Sequence, residues 1–173
     1  RRFLDRRDLF KAGSVVLDIG CGPGEASSWV CPAKYVGYEP NRSYVDRAKS
    51  ERAAFGDFRC GDAEDVPPDF TCDVVLMKAV IGSVPDEVAD YSQEVAARSL
   101  RPGGTLLTHD GVYAPGQSAA SKFMLDIERN AHIRQLSTYQ HLLSSYFPNA
   151  SFKVRTDSYR IPYSMVAVEA MKA

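Results

Sequence analysis

The sequence predicts an α/β fold: a doubly wound sheet of about seven strands, mainly parallel, with an antiparallel hairpin at its C-terminal end and helices on both faces. Short β-rich runs alternate with helical stretches along most of the 173 residues, and this alternation is typical of parallel strands joined by helical crossovers. The last two β-rich runs are separated only by the stretch around residues 157–162, and so short a connection joins antiparallel strands. Hydrophobic residues make up 45% and charged residues 25% of the chain, which is the composition of a folded globular protein.

The first half of the chain contains four of the predicted strands. Its elements are, in order, helix 1–11, strand 14–19, a helix from about residue 25, strand 34–39, helix 41–54, strand 57–60 and strand 72–77. The first strand is a buried apolar run that ends at the glycine-rich residues 20–24, where the chain can turn tightly. Asn41 suits the N-cap of the helix that follows the second strand.

The second half is predicted to alternate in the same way before the hairpin. Its elements are, in order, helix 83–100, strand 105–108, helix 117–129, helix 137–147, strand 151–156 and strand 163–170. From Val84 to Val95 apolar residues recur at spacings of four, three and four, which gives the helix one apolar face. Residues 101–104, Arg-Pro-Gly-Gly, end that helix and turn the chain into the fifth strand.

Charge, cysteine spacing and hydropathy argue against several function classes. Lys plus Arg number 21 and Asp plus Glu number 22, so the formal net charge is −1 and gives no general attraction to nucleic acid or anionic membranes. The dense apolar runs are a few residues long, against about 20 for a membrane span. The four cysteines are scattered without a Cys-x-x-Cys pair, which favours neither a metal site nor a disulfide framework. We therefore expect a reduced, cytoplasmic protein that binds no nucleic acid, membrane or metal.

Acidic residues follow three of the predicted strands, at the edge where ligands bind in parallel sheets. Asp18 precedes the glycine-rich residues 20–24, Glu39 lies 21 residues later at the end of the second strand, and Asp62 follows the third strand. A carboxylate in the position of Glu39 can accept hydrogen bonds from two ribose hydroxyls. One in the position of Asp62 can accept a hydrogen bond from an exocyclic amine such as that of adenine.

Two cofactor classes could use this arrangement of acids and glycines. A dinucleotide site requires Gly-x-Gly-x-x-Gly, because the pyrophosphate lies on the helix N-terminus. Here the third glycine position of that motif is Glu25, and an anion there would repel a phosphate. The pattern in this chain is instead Gly-x-Gly-x-Gly.

From about Val15 to Gly111 the chain resembles the class I S-adenosylmethionine-dependent methyltransferases. The residues that carry the resemblance are Val15–Gly24, Val36–Asn41, Gly61–Glu64, Cys72–Leu76 and Leu100–Leu106, in that order and at fitting intervals. The resemblance implies a Rossmann-like fold, methyltransferase activity, S-adenosylmethionine as cofactor and S-adenosylhomocysteine as product. It also implies a single methyltransferase domain over residues 1–173, in which residues 113–147 form a substrate-covering insert.

The same resemblance implies which residues bind the cofactor. They are Asp18, Gly20, Cys21, Gly22, Gly24, Glu39, Pro40, Asp62, Ala63, Glu64 and Lys78. Asp18 and the glycine-rich residues after it would hold the amino acid end. Glu39 would bind the ribose, Asp62 the adenine, and Lys78 would border the sulfonium.

Catalysis by such an enzyme rests mainly on positioning, because the cofactor already carries an activated methyl group. A base is needed only where the acceptor must lose a proton. Strand five ends in Thr108-His109-Asp110-Gly111, so His109 and Asp110 are the predicted catalytic residues, and Asp110 could orient His109 or act itself. The predicted substrate-binding residues are Tyr113, Arg129, Arg134 and Tyr139, of which the arginines would suit an anionic acceptor.

The resulting hypothesis is a cytoplasmic methyltransferase that acts on an oxygen or nitrogen of a small molecule. The alternatives are a protein or partner subunit that binds the cofactor without chemistry and, less favoured, an NAD-dependent oxidoreductase. Only residues 1–13 precede the first strand in this interpretation. The pocket would then be open, closed by residues ahead of Arg1, or closed by a second subunit in a homodimer.

Overall fold

The computed structural model describes residues 7–31, 33–128, 132–156 and 161–173. Within these ranges the strands are β1 (Val15–Ile19), β2 (Lys34–Glu39), β3 (Asp57–Cys60), β4 (Cys72–Lys78), β5 (Leu100–Tyr113), β6 (Arg134–Gln135), β7 (Ser151–Arg155) and β8 (Met165–Met171). The α-helices are α1 (Arg42–Arg52), α2 (Asp86–Ser99), α3 (Ala119–Asp126) and α4 (Leu136–Ser144). Of the helices in this described part of the chain, none has the length and apolar character that crossing a bilayer requires.

The strands form one mixed sheet in the order β3-β2-β1-β4-β5-β8-β7. The five strands from β3 to β5 are parallel, whereas β8 runs antiparallel to both β5 and β7. The two-residue β6 lies off this path and pairs in parallel with the end of β5. The predicted fold class is therefore confirmed, with β6 as an addition. The strand order reverses between β1 and β4, which is where open α/β sheets bind their ligands.

Alternation along the strands gives the sheet two buried faces. On one face Leu17 and Val75 pack with α2 and α4. On the other face Val16 and Val74 pack with α1, whose buried side chains include Ala48. Because both faces are covered, the central strands are nearly continuous apolar runs, which is why they could be recognised from sequence.

The structure differs from the sequence-based prediction mainly at element ends. The helix expected after the glycine-rich residues is only a 3₁₀ turn, Glu25–Ser28. Strand β5 begins at Leu100 and includes the predicted turn 101–104, because Gly103 and Gly104 exchange backbone hydrogen bonds with Lys172 near the C-terminus. Of the predicted helix 1–11, residues 1–6 lie outside the described residues.

Candidate functional site

A cavity of about 510 Å³ lies beyond the carboxyl ends of the parallel strands. We call it cavity A; its walls are Ile19, Gly20, Glu39, Pro40, Asp62, Ala63, Glu64, Ala79, Val80, Ser83, Val84, Glu87, Val88, Tyr91 and Ser92. The volume is within the range of about 300–1,000 Å³ that is usual for small-molecule sites. Six of the eleven predicted cofactor-binding residues lie on this wall: Gly20, Glu39, Pro40, Asp62, Ala63 and Glu64. The wall combines the carboxylates of Glu39 and Asp62 with apolar side chains such as Val80 and Val84, a combination that suits the sugar and the purine of an adenosyl group.

The glycine-rich residues form a tight turn that is held against β2. The backbone N–H groups of Gly20 and Cys21 both donate to the carbonyl oxygen of Tyr38, at 2.8 and 3.0 Å. Gly24 has a φ of +75°, and a Cβ there would lie 2.5 Å from a ring carbon of Phe58. The absence of a side chain at Gly24 therefore lets the turn pack closely on the sheet.

Glu39 links the end of β2 to this turn. One carboxylate oxygen accepts from the backbone N–H of Gly22 at 2.9 Å, and the other accepts from that of Asn41 at 2.8 Å. Each oxygen of a carboxylate has a second acceptor site. The buried carboxylate can thus hold the turn and still accept hydrogen bonds from a pair of ribose hydroxyls.

Asp62 is fixed by a short turn of its own. Its side chain accepts from the backbone N–H of Glu64 at 2.8 Å, while its own N–H donates to the side chain of Asp65 at 3.0 Å. This reciprocal capping orients the start of the 3₁₀ turn Ala63–Asp65. The carboxylate is exposed at the wall of cavity A, where it can accept a further hydrogen bond.

The other predicted cofactor residues do not lie on the wall of cavity A. Asp18 is buried beneath the turn, where the hydroxyl of Tyr35 donates to one of its oxygens at 2.5 Å. The second oxygen has no hydrogen-bond partner among the described residues, and burial raises the pKa of this carboxyl to about 7. Lys78 lies 5.0 Å above the ring of Trp29 and 3.7 Å from the carboxylate of Glu25. Cys21, Gly22 and Gly24 shape the turn.

A second cavity, of about 300 Å³, adjoins the first. We call it cavity B; its walls are Ala79, Gly82, Ser83, Asp110, Gly111, Glu128, Ile133, Ile161, Tyr163 and Met165. Ala79 and Ser83 belong to the walls of both cavities. Ala79 has a φ of +56°, a conformation that is rare for residues other than glycine and often marks functional sites.

Asp110 is the buried acid of cavity B. One of its oxygens accepts from the backbone N–H of Gly82 at 2.8 Å, and the other has no hydrogen-bond partner among the described residues. Burial raises the pKa of this carboxyl to about 7, against the opposing effect of the Gly82 N–H and the Arg134 charge. A carboxyl with that pKa can take up a proton at neutral pH.

His109 is adjacent to Asp110 in sequence but lies on the other face of β5, because successive strand residues alternate. It belongs to neither cavity wall. Burial, and then the charges of Lys78 and Arg155, lower its pKa to about 4. The imidazole is therefore neutral at physiological pH.

Of the predicted substrate-binding residues, the three that the structure describes, Tyr113, Arg134 and Tyr139, are not on the wall of cavity B. Tyr139 is buried and donates to the carbonyl oxygen of Gly111 at 2.9 Å. Tyr113 donates to Asp126 at 2.8 Å. Arg134 is buried, and its guanidinium donates to backbone carbonyl oxygens and to the carboxylate of Asp86. Arg129 lies outside the described residues.

Sequence reasoning missed the residues that close cavity B. The hydroxyl of Tyr163 donates to the carboxylate of Glu128 at 3.0 Å, and Met165 begins β8. An antiparallel strand begins at the edge of the sheet where its parallel neighbours end. The predicted antiparallel direction of the last strand therefore indicated that the first residues of that strand lie near the site. Among the residues that the structure describes, no group of three or more His, Cys, Asp or Glu side chains is arranged to hold a metal ion.

Comparisons with known proteins identify a domain family and a shared fold. A methyltransferase domain family matches residues 17–108. A 27-O-demethylrifamycin SV methyltransferase from Amycolatopsis mediterranei is 36% identical over 115 residues, which cover 61% of this chain and 41% of that protein. A phosphoethanolamine N-methyltransferase from Triticum aestivum is 27% identical over 167 residues, which cover 92% of this chain and 32% of that protein. The chain thus spans well under half the length of these curated relatives.

Solved structures share the fold. Human N-acetylserotonin methyltransferase, in complex with S-adenosylmethionine, gives a TM-score of 0.74 at 21% identity and covers 99% of this chain and 50% of that one. The [4+2]-cyclase SpnF gives a TM-score of 0.74 at 16% identity and covers 96% of this chain and 77% of that one. Identities this low establish the shared fold alone.

Proposed function

The chain belongs to the methyltransferase domain family, and from that premise we propose that it transfers a methyl group from S-adenosylmethionine to an oxygen or nitrogen of a small molecule. Family membership confirms the predicted class I S-adenosylmethionine-dependent type, and with it the predicted cofactor. The observation that carries the proposal is the pair of adjoining cavities. Cavity A has Glu39 and Asp62 on its wall, and cavity B has the buried carboxyl of Asp110. They share Ala79 and Ser83.

Cavity A fits the cofactor and cavity B fits the acceptor. Glu39 and Asp62 would hold the ribose hydroxyls and the adenine amine. When bound, S-adenosylmethionine supplies an activated methyl group on a sulfonium. The residues of the chain then have to orient the acceptor beside the wall that the cavities share, and to exclude water from cavity B.

Asp110 is the group that we propose as the base. Bound S-adenosylmethionine would supply the methyl group to the acceptor oxygen or nitrogen, with S-adenosylhomocysteine as the product. The acceptor O–H or N–H gives its proton to the carboxylate of Asp110. His109 lines neither cavity, so we do not assign the transfer to it.

A small-molecule acceptor is supported by the size of cavity B and by the relatives. About 300 Å³ is at the lower end of the usual range for ligand sites. The insert predicted over residues 113–147 supplies Glu128 and Ile133 to its wall, which supports a substrate-covering role. The two curated relatives are named for an O-methyl and an N-methyl acceptor.

The test is methyl transfer from S-adenosylmethionine to a library of small phenols, alcohols and amines. We expect turnover that rises with pH through about 7, as Asp110 loses its proton. Asp110→Asn should lower kcat by about 10²- to 10⁴-fold, whereas Asp126→Asn, on the exposed surface of α3, should not. Tight binding of S-adenosylhomocysteine without turnover on any acceptor would instead favour a non-catalytic cofactor-binding protein.

A further inference from the structure

We propose that Arg134 is a positioning residue that holds the wall between cavity A and cavity B in place, rather than a ligand of the acceptor. This inference rests on the proposed function, because it assigns cofactor and acceptor to the two sides of that wall. The wall is part of the stretch between β4 and α2. We call residues 81–86 the dividing segment.

The guanidinium of Arg134 is occupied by the dividing segment. Nε and Nη2 donate to one carboxylate oxygen of Asp86 at 2.8 and 2.6 Å. Nη2 also donates to the carbonyl oxygen of Val84 at 2.8 Å, and Nη1 donates to that of Ile81. Nη1 has a further acceptor in the carbonyl oxygen of His132 at 2.9 Å. A planar guanidinium offers five N–H donors in a fixed geometry that reaches several acceptors at once, whereas an ammonium offers three donors from a single nitrogen.

These contacts bracket the residues that line the cavities. Gly82 and Ser83 lie on the wall of cavity B, and Ser83 and Val84 lie on the wall of cavity A. The carbonyls that Arg134 holds, at residues 81 and 84, stand directly on either side of Gly82 and Ser83. A shift of this guanidinium would therefore move both walls at once.

Asp110 holds the same segment from the side of the sheet. Its carboxylate accepts from the backbone N–H of Gly82, so the position of the proposed base depends on where the segment lies. Arg134 itself is fixed in β6, where it pairs with Val112 of β5. The two-residue strand thus ties the insert to the strand that carries Asp110.

Burial supports a positioning role. The side chain of Arg134 is only 8% exposed, while that of its partner Asp86 is 69% exposed. A buried cation is tolerated where its N–H groups are satisfied, and removing its partners is costly. The N–H groups of Arg134 already donate to four protein groups, so its charge is satisfied without an anionic methyl acceptor.

The test compares Arg134→Lys with Arg98→Lys. Arg98 is the matched control, because its guanidinium also donates to two backbone carbonyls, those of Val66 and Pro67. Neither of those residues lines cavity A or cavity B. Calorimetry gives the Kd for S-adenosylhomocysteine, steady-state kinetics give kcat and KM for the acceptor, and thermal unfolding gives Tm.

We expect Arg134→Lys to weaken the binding of S-adenosylhomocysteine about 3- to 10-fold and to lower kcat at least about 10-fold at saturating substrates. Arg98→Lys should lower Tm and change neither Kd nor kcat. Asp86→Asn, on an exposed carboxylate, should shift Kd and kcat in the same direction by less, and it serves if Arg134→Lys does not fold. Changes in Kd and kcat no larger than those of Arg98→Lys overturn the proposal. Wild-type protein that binds no S-adenosylhomocysteine overturns the proposed function itself, and this proposal with it.

Discussion

Replacing Glu39 by Gln tests the cofactor cavity with a change of one functional group. The carboxylate accepts from the backbone N–H groups of Gly22 and Asn41, one on each oxygen. A Gln amide has the same shape but only one acceptor oxygen. One of the two backbone donors therefore loses its partner, and the ribose hydroxyls lose a charged acceptor.

The two losses have separate magnitudes. An unsatisfied backbone donor costs about 1–3 kcal/mol of folding free energy, which lowers Tm by about 2–4 °C per kcal/mol in a chain of this size. A hydrogen bond to a charged group contributes about 1.5–3 kcal/mol. At about 1.4 kcal/mol per factor of ten, Glu39→Gln should raise the Kd for S-adenosylhomocysteine, measured by calorimetry, by about 10- to 150-fold.

Glu51→Gln is the matched control. Glu51 is a half-exposed carboxylate on α1 that pairs with Arg47 at 2.9 Å, and an exposed pair of this kind contributes little. We expect this control to leave both Tm and Kd unchanged. An unchanged Kd in Glu39→Gln, with the fold intact, would refute the assignment of cavity A to the cofactor.

Two further predictions concern the fold. Gly24→Ala should lower the free energy of unfolding in urea by about 2–5 kcal/mol, from the strain of a positive φ and from overpacking against the sheet. Gly103→Ala, at a φ of +77° with open space around it, should cost only about 1–2 kcal/mol; equal losses would contradict this reasoning. His109 has a folded pKa of about 4 against 6.5, so its contribution to stability is present above pH 6.5 and is lost as pH falls through 4. His109→Gln should therefore flatten the acid side of the stability profile, and an unchanged profile would show that His109 is not buried as a neutral group.

Much of cavity A could be predicted because its signals are local. Glu39 ends β2 and Asp62 lies two residues after β3, and parallel strands bring their carboxyl ends to one edge of the sheet. The glycine-rich residues 20–24 were predicted to form a tight turn, and the turn is held there by the N–H groups of Gly20 and Cys21. For these residues the order of elements along the chain was enough to place their side chains together.

Cavity B could not be predicted in the same way. Its wall combines residues from the end of β4, the end of β5, the insert and the start of β8, and no sequence spacing connects them. Strand alternation predicts that His109 and Asp110 face opposite sides. It does not say which side is open, because that depends on where the dividing segment and the insert pack.

The proposed role of Asp110 carries a cost in stability, and this cost can be measured. Its folded pKa is about 7 against an ordinary 3.8, so the folded protein binds a proton more tightly than the unfolded chain. The contribution of this carboxyl is fully present below about pH 4 and is lost as pH rises through 7, at about 1.4 kcal/mol per pH unit in between.

Asp110→Asn removes that dependence, because an amide does not titrate and can still accept from Gly82. Relative to wild type, the variant should therefore gain about 3 kcal/mol of unfolding free energy between pH 5 and pH 8, in urea denaturation at each pH, while it loses turnover. Asp126→Asn should follow the wild-type curve. A base that is buried for neutral-pH chemistry destabilises the fold at the pH where it is charged. If Asp110→Asn and wild type differ by the same amount at pH 5 and pH 8, the carboxyl does not titrate in this range, and the expected rise of turnover through pH 7 cannot come from Asp110.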